Sequence, residues 1–216
     1  KSTLCRLLCG VTRPDSGEMR LNGKMHAPGS RREAEEAAVR MVMQELNLLP
    51  TLTVAENIFL DAMPRRMGVI DYRRMNADGA RAVAALGLRG VEPDRLVGSL
   101  GVGQAQLVEI AAALAKRCDV LVLDEPTAAL TTPEIELLFA QIRRLKQAGV
   151  GIIYVSHRME EIRQMADRIT VLRDGKYIAT RQVAEVSHEE IVRLMVGRDL
   201  SAAAIGAEGS QKSSRG

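Results

Sequence analysis

The chain has 216 residues, 46% of them hydrophobic and 26% charged, the size and balance of one globular domain or of a large core with a smaller lobe. Its net charge of +3 arises from scattered acids and bases, which argues against a nucleic-acid surface; an aromatic content of 2% without Trp argues against base-stacking platforms. No apolar run reaches bilayer-spanning length and no signal-peptide pattern opens the chain, so a soluble, cytosolic protein is expected.

In chain order, Lys1-Ser2-Thr3 runs straight into a helical pattern of Leu4, Leu7 and Leu8, closed by Gly10, with no strand before it. Cys5 and Cys9 share a face of that helix. With Cys118 they lack the spacing of a disulfide framework or zinc site and read as small core residues. Pro14 to Gly17 is a turn leading to a short strand at Glu18 to Leu21. Ser30 with Glu33, and Thr53 with Glu56, have capping-box spacing, which predicts helix starts and leaves Val39 to Met43 as a strand ending at Gln44. The doublets Arg31-Arg32 and Arg65-Arg66 read as solvated surface.

Helical patterns follow over Asp71 to Leu88 and, more strongly, through Leu107, Val108, Ile110, Ala111 and Leu114, so Gln44 to Lys116 reads as a mostly helical lobe. The second half alternates strand and helix, as a parallel sheet with crossover helices does. Val120 to Leu123 is an unbroken apolar run, expected of a strand covered on both faces. Thr132 is expected to cap a helix with Pro133 at its first position, running to Gly149. Gly151 to Val155 is the next buried strand; Ile169 to Leu172 and Tyr177 to Ala179 flank a Gly turn as a hairpin; Ser187 and Glu190 open a helix through Val196. From about Ser201 the chain is small and polar, expected to be a disordered tail or linker.

Four places can carry chemistry. Lys1, Ser2 and Thr3 match the end of a phosphate-binding loop, in which Lys reaches the β and γ phosphates and the next hydroxyl ligates magnesium. Asp124 and Glu125 follow the buried strand at the carboxyl edge of a sheet, where one carboxylate can support magnesium and the other can orient and deprotonate water. His157 ends the next strand, placed to donate to a γ-phosphate oxygen, although a lone strand-end His is more often structural. His26 and His188 read as surface residues. Leu100-Gly101-Val102-Gly103-Gln104 precedes the strong helix, whose N-terminus can attract phosphate; alone it is a weak signal.

Taken in series, Gln44, Leu100 to Gln104, Val120 to Pro126, Ala128 to Thr131 and His157 resemble the Q-loop, signature, Walker B, D-loop and H-loop of an ABC ATP-binding cassette in family order. The stretches VMQELNLLPTLTVAENIFL, LVEIAAALAKRCDVLVLDEPTAALT, GIIYVSHRMEEI, LRDGKYIATR and LMVGRDL are similar to the first cassette of double-cassette ATPases that energise bacterial uptake of ribose, galactose, xylose and related simple sugars.

That resemblance implies a P-loop NTPase-like α/β fold with a mostly parallel sheet and a helical subdomain at about 45–116, within a cassette of residues 1–200 that lacks its N-terminal strands. It implies that Lys1, Ser2 and Thr3 bind ATP and magnesium, that Gln44 senses the γ-phosphate, and that Ser2, Gln44 and Asp124 form the magnesium set. Glu125 becomes the general base and His157 the γ-phosphate contact. Gly101, Val102, Gly103 and Gln104 would face the nucleotide of a second cassette. Gly101 stands where the family has Ser, so a hydroxyl contact is absent. The implied partners are that second cassette, transmembrane permease subunits and, indirectly, a periplasmic sugar-binding protein, with no nucleic acid; the implied location is the cytoplasmic face of the cell membrane. The alternatives are a soluble ABC ATPase acting outside transport and an inactive truncated fragment, since the loop's glycines, the strand before them and the usual adenine-stacking aromatic do not precede Lys1.

Overall fold

A computed structural model describes residues 1–43 and 46–197. Gln44, the last three residues of LMVGRDL and the expected tail at 201–216 therefore lie outside the described residues. The chain divides into two compact units, one of residues 2–157 and one of Lys1 with residue 158 onward.

The first unit opens with α1 (Ser2–Leu8), followed by a two-residue hairpin of β1 (Arg20–Leu21) and β2 (Lys24–Met25), shorter than the strand expected at 18–21. α2 (Arg31–Glu36) starts where Ser30 Oγ accepts the Glu33 N–H, and β3 (Val39–Val42) follows. α3 (Val54–Ile58) carries the complete reciprocal box between Thr53 and Glu56, at 2.8 and 3.2 Å. Next comes a small antiparallel hairpin, β4 (Arg65–Arg66) with β5 (Val69–Ile70), where the sequence suggested only solvated arginines. α4 (Tyr72–Ala85) and α5 (Val102–Leu114) are separated by a single 3-10 turn at Val97–Ser99. β6 (Val120–Asp124), α6 (Thr132–Gln147) and β7 (Gly151–Val155) complete the unit.

Three strands form one parallel sheet in the order β3-β6-β7. Parallel neighbours require long crossovers, supplied by α3 to α5 between β3 and β6, and by α6 between β6 and β7. Register explains the two faces. Val122 lies opposite Met41 and Ile153, and these pack with Cys5, Cys9 and Val39 beneath α1 and α2. On the other face α6 buries Leu138, Phe139 and Ile142, with the Phe139 ring edge-on to Tyr154 at 6.5 Å. Leu121, Val122 and Leu123 are completely buried, as a strand covered on both sides must be. The helix cap falls one residue earlier than expected: Thr131 is the N-cap because Glu134 reaches back to its N–H at 2.8 Å, and Pro133 moves to the second position.

His26 corrects the surface assignment. It is buried and its Nε2 donates to the Leu8 carbonyl at 2.8 Å, tying the end of α1 to the chain before α2. Gly10 closes the same junction with φ +68°, and a methyl there would stand 2.7 Å from the Ser30 carbonyl carbon. Both strain and collision follow from any side chain. Gly10→Ala is accordingly expected to cost about 2–3 kcal/mol, read as a lower midpoint in urea at unchanged slope.

The second unit contains α7 (Met159–Met165), the antiparallel pair β8 (Arg168–Arg173) and β9 (Lys176–Gln182), and α8 (His188–Val196). Asp174 and Gly175, at φ 51° and 75°, make the hairpin turn whose backbone twist suits paired strands. Its core joins Ile162, Ile169, Val171, Val186 and Ile191. Ser187 Oγ caps α8 through the Glu190 N–H, while the Glu190 carboxylate accepts from Arg181 Nε at 3.1 Å instead of closing the box. His188 is exposed, as expected.

Candidate functional site

The carboxyl ends of β6 and β7 build the site. Asp124 ends β6 opposite Val155 and is 7% exposed, so its carboxylate sits at the rim of the core. Glu125 continues the pairing by one bond, its N–H donating to the Val155 carbonyl at 2.9 Å, yet its φ is +49°. A non-glycine residue in the left-handed region costs about 1–2 kcal/mol, so the sheet edge holds Glu125 in a turned-out conformation against local preference. The consequence is a meeting across strands: the Glu125 carboxylate accepts from His157 Nδ1 at 3.2 Å. That bond assigns the Nδ1 proton and leaves Nε2 as the ring's second polar atom.

α1 lies beside β6 at the same edge. The negative charge of Asp124 reaches Cys5, whose thiol is pushed up to about 11, first by burial and then by that charge. Ser2, one turn before Cys5 and exposed, lies on this same helix. Thr3 is exposed on the same helix, while Lys1 belongs to the second unit. Cys9 is likewise raised, to about 12, chiefly by burial, so both cysteines are inert core groups.

Gly101 to Gln104 form the N-terminal end of α5, away from β7 in sequence but within the same unit. Gly101 is the N-cap, and Gln104 Oε1 stands 3.4 Å from its N–H. Among the described residues, then, Asp124, Glu125 and His157 gather at the sheet edge, with α1 packed beside β6; Gly101 to Gln104 form a separate helix entrance.

One polar group escaped sequence reasoning. Glu109, inside the apolar pattern of α5, is 6% exposed and accepts from Asn47 Nδ2 at 3.2 Å, while its Oε2 and the Gln106 Nε2 one turn away have no hydrogen-bond partner among the described residues. The signal was present: α5 is buried from Ala105 to Ala111, so polar residues in that stretch are buried too. Burial raises the Glu109 pKa above its usual 4.5, the Asn47 bonds and the more distant Arg31 opposing the shift. A carboxyl whose folded pKa is raised contributes stability below its unfolded pKa and loses it as pH rises through the folded value. Glu109→Gln is therefore expected to raise Tm relative to the parent at about pH 8, the gap closing as pH falls toward about 5; a constant gap would contradict the titration.

The ABC transporter family model matches residues 1–128. The chain is 49% identical over 200 residues to the ribose import ATP-binding protein RbsA of Chromobacterium violaceum, covering 93% of this chain and 40% of that protein. It is 46% identical to a putative ribose/galactose/methyl galactoside import ATP-binding protein of Agrobacterium fabrum, covering 93% of this chain and 39% of that one. Among solved structures, the ATP-binding cassette MJ0796 in a dimeric post-hydrolysis state bound to ADP and Pi superposes with a TM-score of 0.73 at 24% identity, over 84% of this chain and 80% of that chain. The cassette MJ1267 gives 0.77 at 24% identity, over 91% and 82%.

The fold is that of an ABC ATPase cassette, with a parallel sheet and packed helices. By sequence the chain belongs to the ABC transporter family. It spans about 40% of the length of the curated relatives it matches.

Proposed function

We propose that this chain is the first ATP-hydrolysing cassette of an importer of simple sugars, working at the cytoplasmic face of the membrane with a second cassette and a permease. The observation that carries the reading is the Glu125–His157 pair beside buried Asp124, held at the sheet edge by a strained backbone in a chain of this family. The relatives' names supply the sugar class. Among the described residues no helix is long and apolar enough to cross a membrane.

Lys1, Ser2 and Thr3 bind the phosphates of ATP, Gln44 reports the γ-phosphate, and Gly101 to Gln104 meet the nucleotide of the second cassette. Among the described residues no cluster of three or more His, Cys, Asp or Glu stands ready to hold a metal. Magnesium keeps several waters and substrate phosphates as ligands and needs as few as one carboxylate from a protein; the Asp124 carboxylate, the Ser2 hydroxyl and Gln44 would hold it here. When bound it neutralises phosphoryl charge. Glu125 orients the attacking water and accepts its proton; His157 fixes that carboxylate through Nδ1 and meets the terminal phosphate through the rest of the ring.

The full-length protein, reconstituted with its permease and binding protein in vesicles, tests the reading. Uptake of labelled ribose, galactose or xylose that needs internal ATP is expected. ATP hydrolysis with no sugar uptake, together with copurification of ribosomes, would contradict it in favour of a non-transport ATPase.

A further inference from the structure

We infer that Glu134 is a positioning residue that couples the Ala128–Thr131 stretch to the Gly101–Gln104 loop; the inference rests on the function proposed above. Glu134 lies in the first turn of α6, where its Oε2 accepts both the Thr131 N–H at 2.8 Å and the Thr131 hydroxyl at 2.7 Å. An ordinary helix cap explains those bonds. It does not explain why the same carboxylate also lies against α5: a methyl built on Gly103 would meet Glu134 Oε2 first, the oxygen that accepts from Thr131, then Oε1 at 2.6 Å and Cδ at 2.7 Å.

Gly103 sits in the first turn of α5 with helical backbone, so its conformation would admit any residue, and Gly is among the poorest helix formers. What a side chain there would displace is the Glu134 carboxylate itself. One carboxylate thus serves the N-terminal turns of two helices, each of which favours negative charge. Burial of Gly103 keeps the contact close. A displacement of the Gly101–Gln104 loop toward a neighbouring nucleotide therefore acts on Glu134, and through its two bonds on Thr131 and the Ala128–Thr131 stretch. The two segments move together, and loss of Glu134 uncouples them. Because the residue acts through these segments, its effect falls on kcat while KM for ATP stays nearly constant.

The test is a double-mutant cycle of Gly103→Ala and Glu134→Ala in the full-length protein, read in both Tm and kcat. Gly103→Ala alone is expected to lower kcat about tenfold or more, and Glu134→Ala several-fold; the double variant is expected to turn over within about threefold of Glu134→Ala, because the methyl then has room. Additive effects in both Tm and kcat overturn the inference. Should Gly103→Ala fail to fold, Glu134→Gln and Glu134→Asp decide. Gln keeps length and acceptor and is expected to hold kcat within about twofold; Asp keeps a helix cap but withdraws from Gly103, and is expected to lower kcat with little change in Tm. A Glu134→Asp protein at parental kcat overturns the inference. Non-additive Tm in a protein that hydrolyses no ATP would instead strike the ATPase reading while leaving the contact in place.

Discussion

Glu125→Gln in the full-length protein is expected to bind ATP within about twofold of the parent and to lose about 10²- to 10⁴-fold in steady-state hydrolysis, the usual worth of a general base. The physical basis is the position of the carboxylate. It stands one residue beyond Asp124 on a sheet edge, turned out by a φ of +49° and held by His157. Gln keeps the shape and an acceptor oxygen for His157 Nδ1 but cannot take a proton from water, so binding and turnover separate. The φ constraint is shared by both residues, so stability is expected to stay close to the parent. Hydrolysis at the parental rate, measured as phosphate release against an ATP titration, would remove Glu125 from the chemistry.

His157→Ala has the second largest expected effect, a loss of about 10²- to 10³-fold in hydrolysis, comparable to deletion of a donor that stabilises developing charge. Two contributions disappear together. The proposed contact of the ring with the terminal phosphate goes, and so does the 3.2 Å bond that fixes Glu125. Under the proposed mechanism both residues serve one step, so the double variant with Glu125→Gln is expected to be hardly slower than Glu125→Gln alone. His157 is largely exposed, with 66% of its side chain accessible, so the fold has little to lose and Tm is expected to move by no more than about 1–2 °C. Independent, multiplying losses would show that the two side chains act at different steps.

Much of this arrangement was legible because its signals are local. β6 and β7 appear as short apolar runs, and Ser187, Thr53 and Ser30 each carry the hydroxyl-to-third-residue spacing that starts a helix. Thr131 shows how close such reading comes: two adjacent threonines can cap, and the choice falls to the one three residues before Glu134. Other features depend on distant partners. His26 sits in a turn by composition and is buried by the Leu8 carbonyl, eighteen residues away. The β4–β5 hairpin has two-residue strands and turns at Met67-Gly68, without the Asn-Gly or Asp-Gly signature, so nothing periodic announced it. At the candidate site, Asp124, Glu125 and His157 were visible as strand-end residues, but the left-handed turn of Glu125 and its bond to His157 exist only once β6 and β7 pair. Glu134 stayed hidden because its proximity to Gly103 joins two helices that are thirty residues apart.

The proposed function requires that a nucleotide's terminal phosphate be held where Asp124, Glu125 and His157 meet. A crystal structure of the full-length Glu125→Gln protein with magnesium and ATP tests it directly. The terminal phosphate is expected within about 3.5 Å of the His157 ring, on the side where Ser2 and Asp124 would hold magnesium. A nucleotide bound with its γ-phosphate more than about 8 Å from both His157 and residue 125, beyond even a water bridge, would contradict the claim.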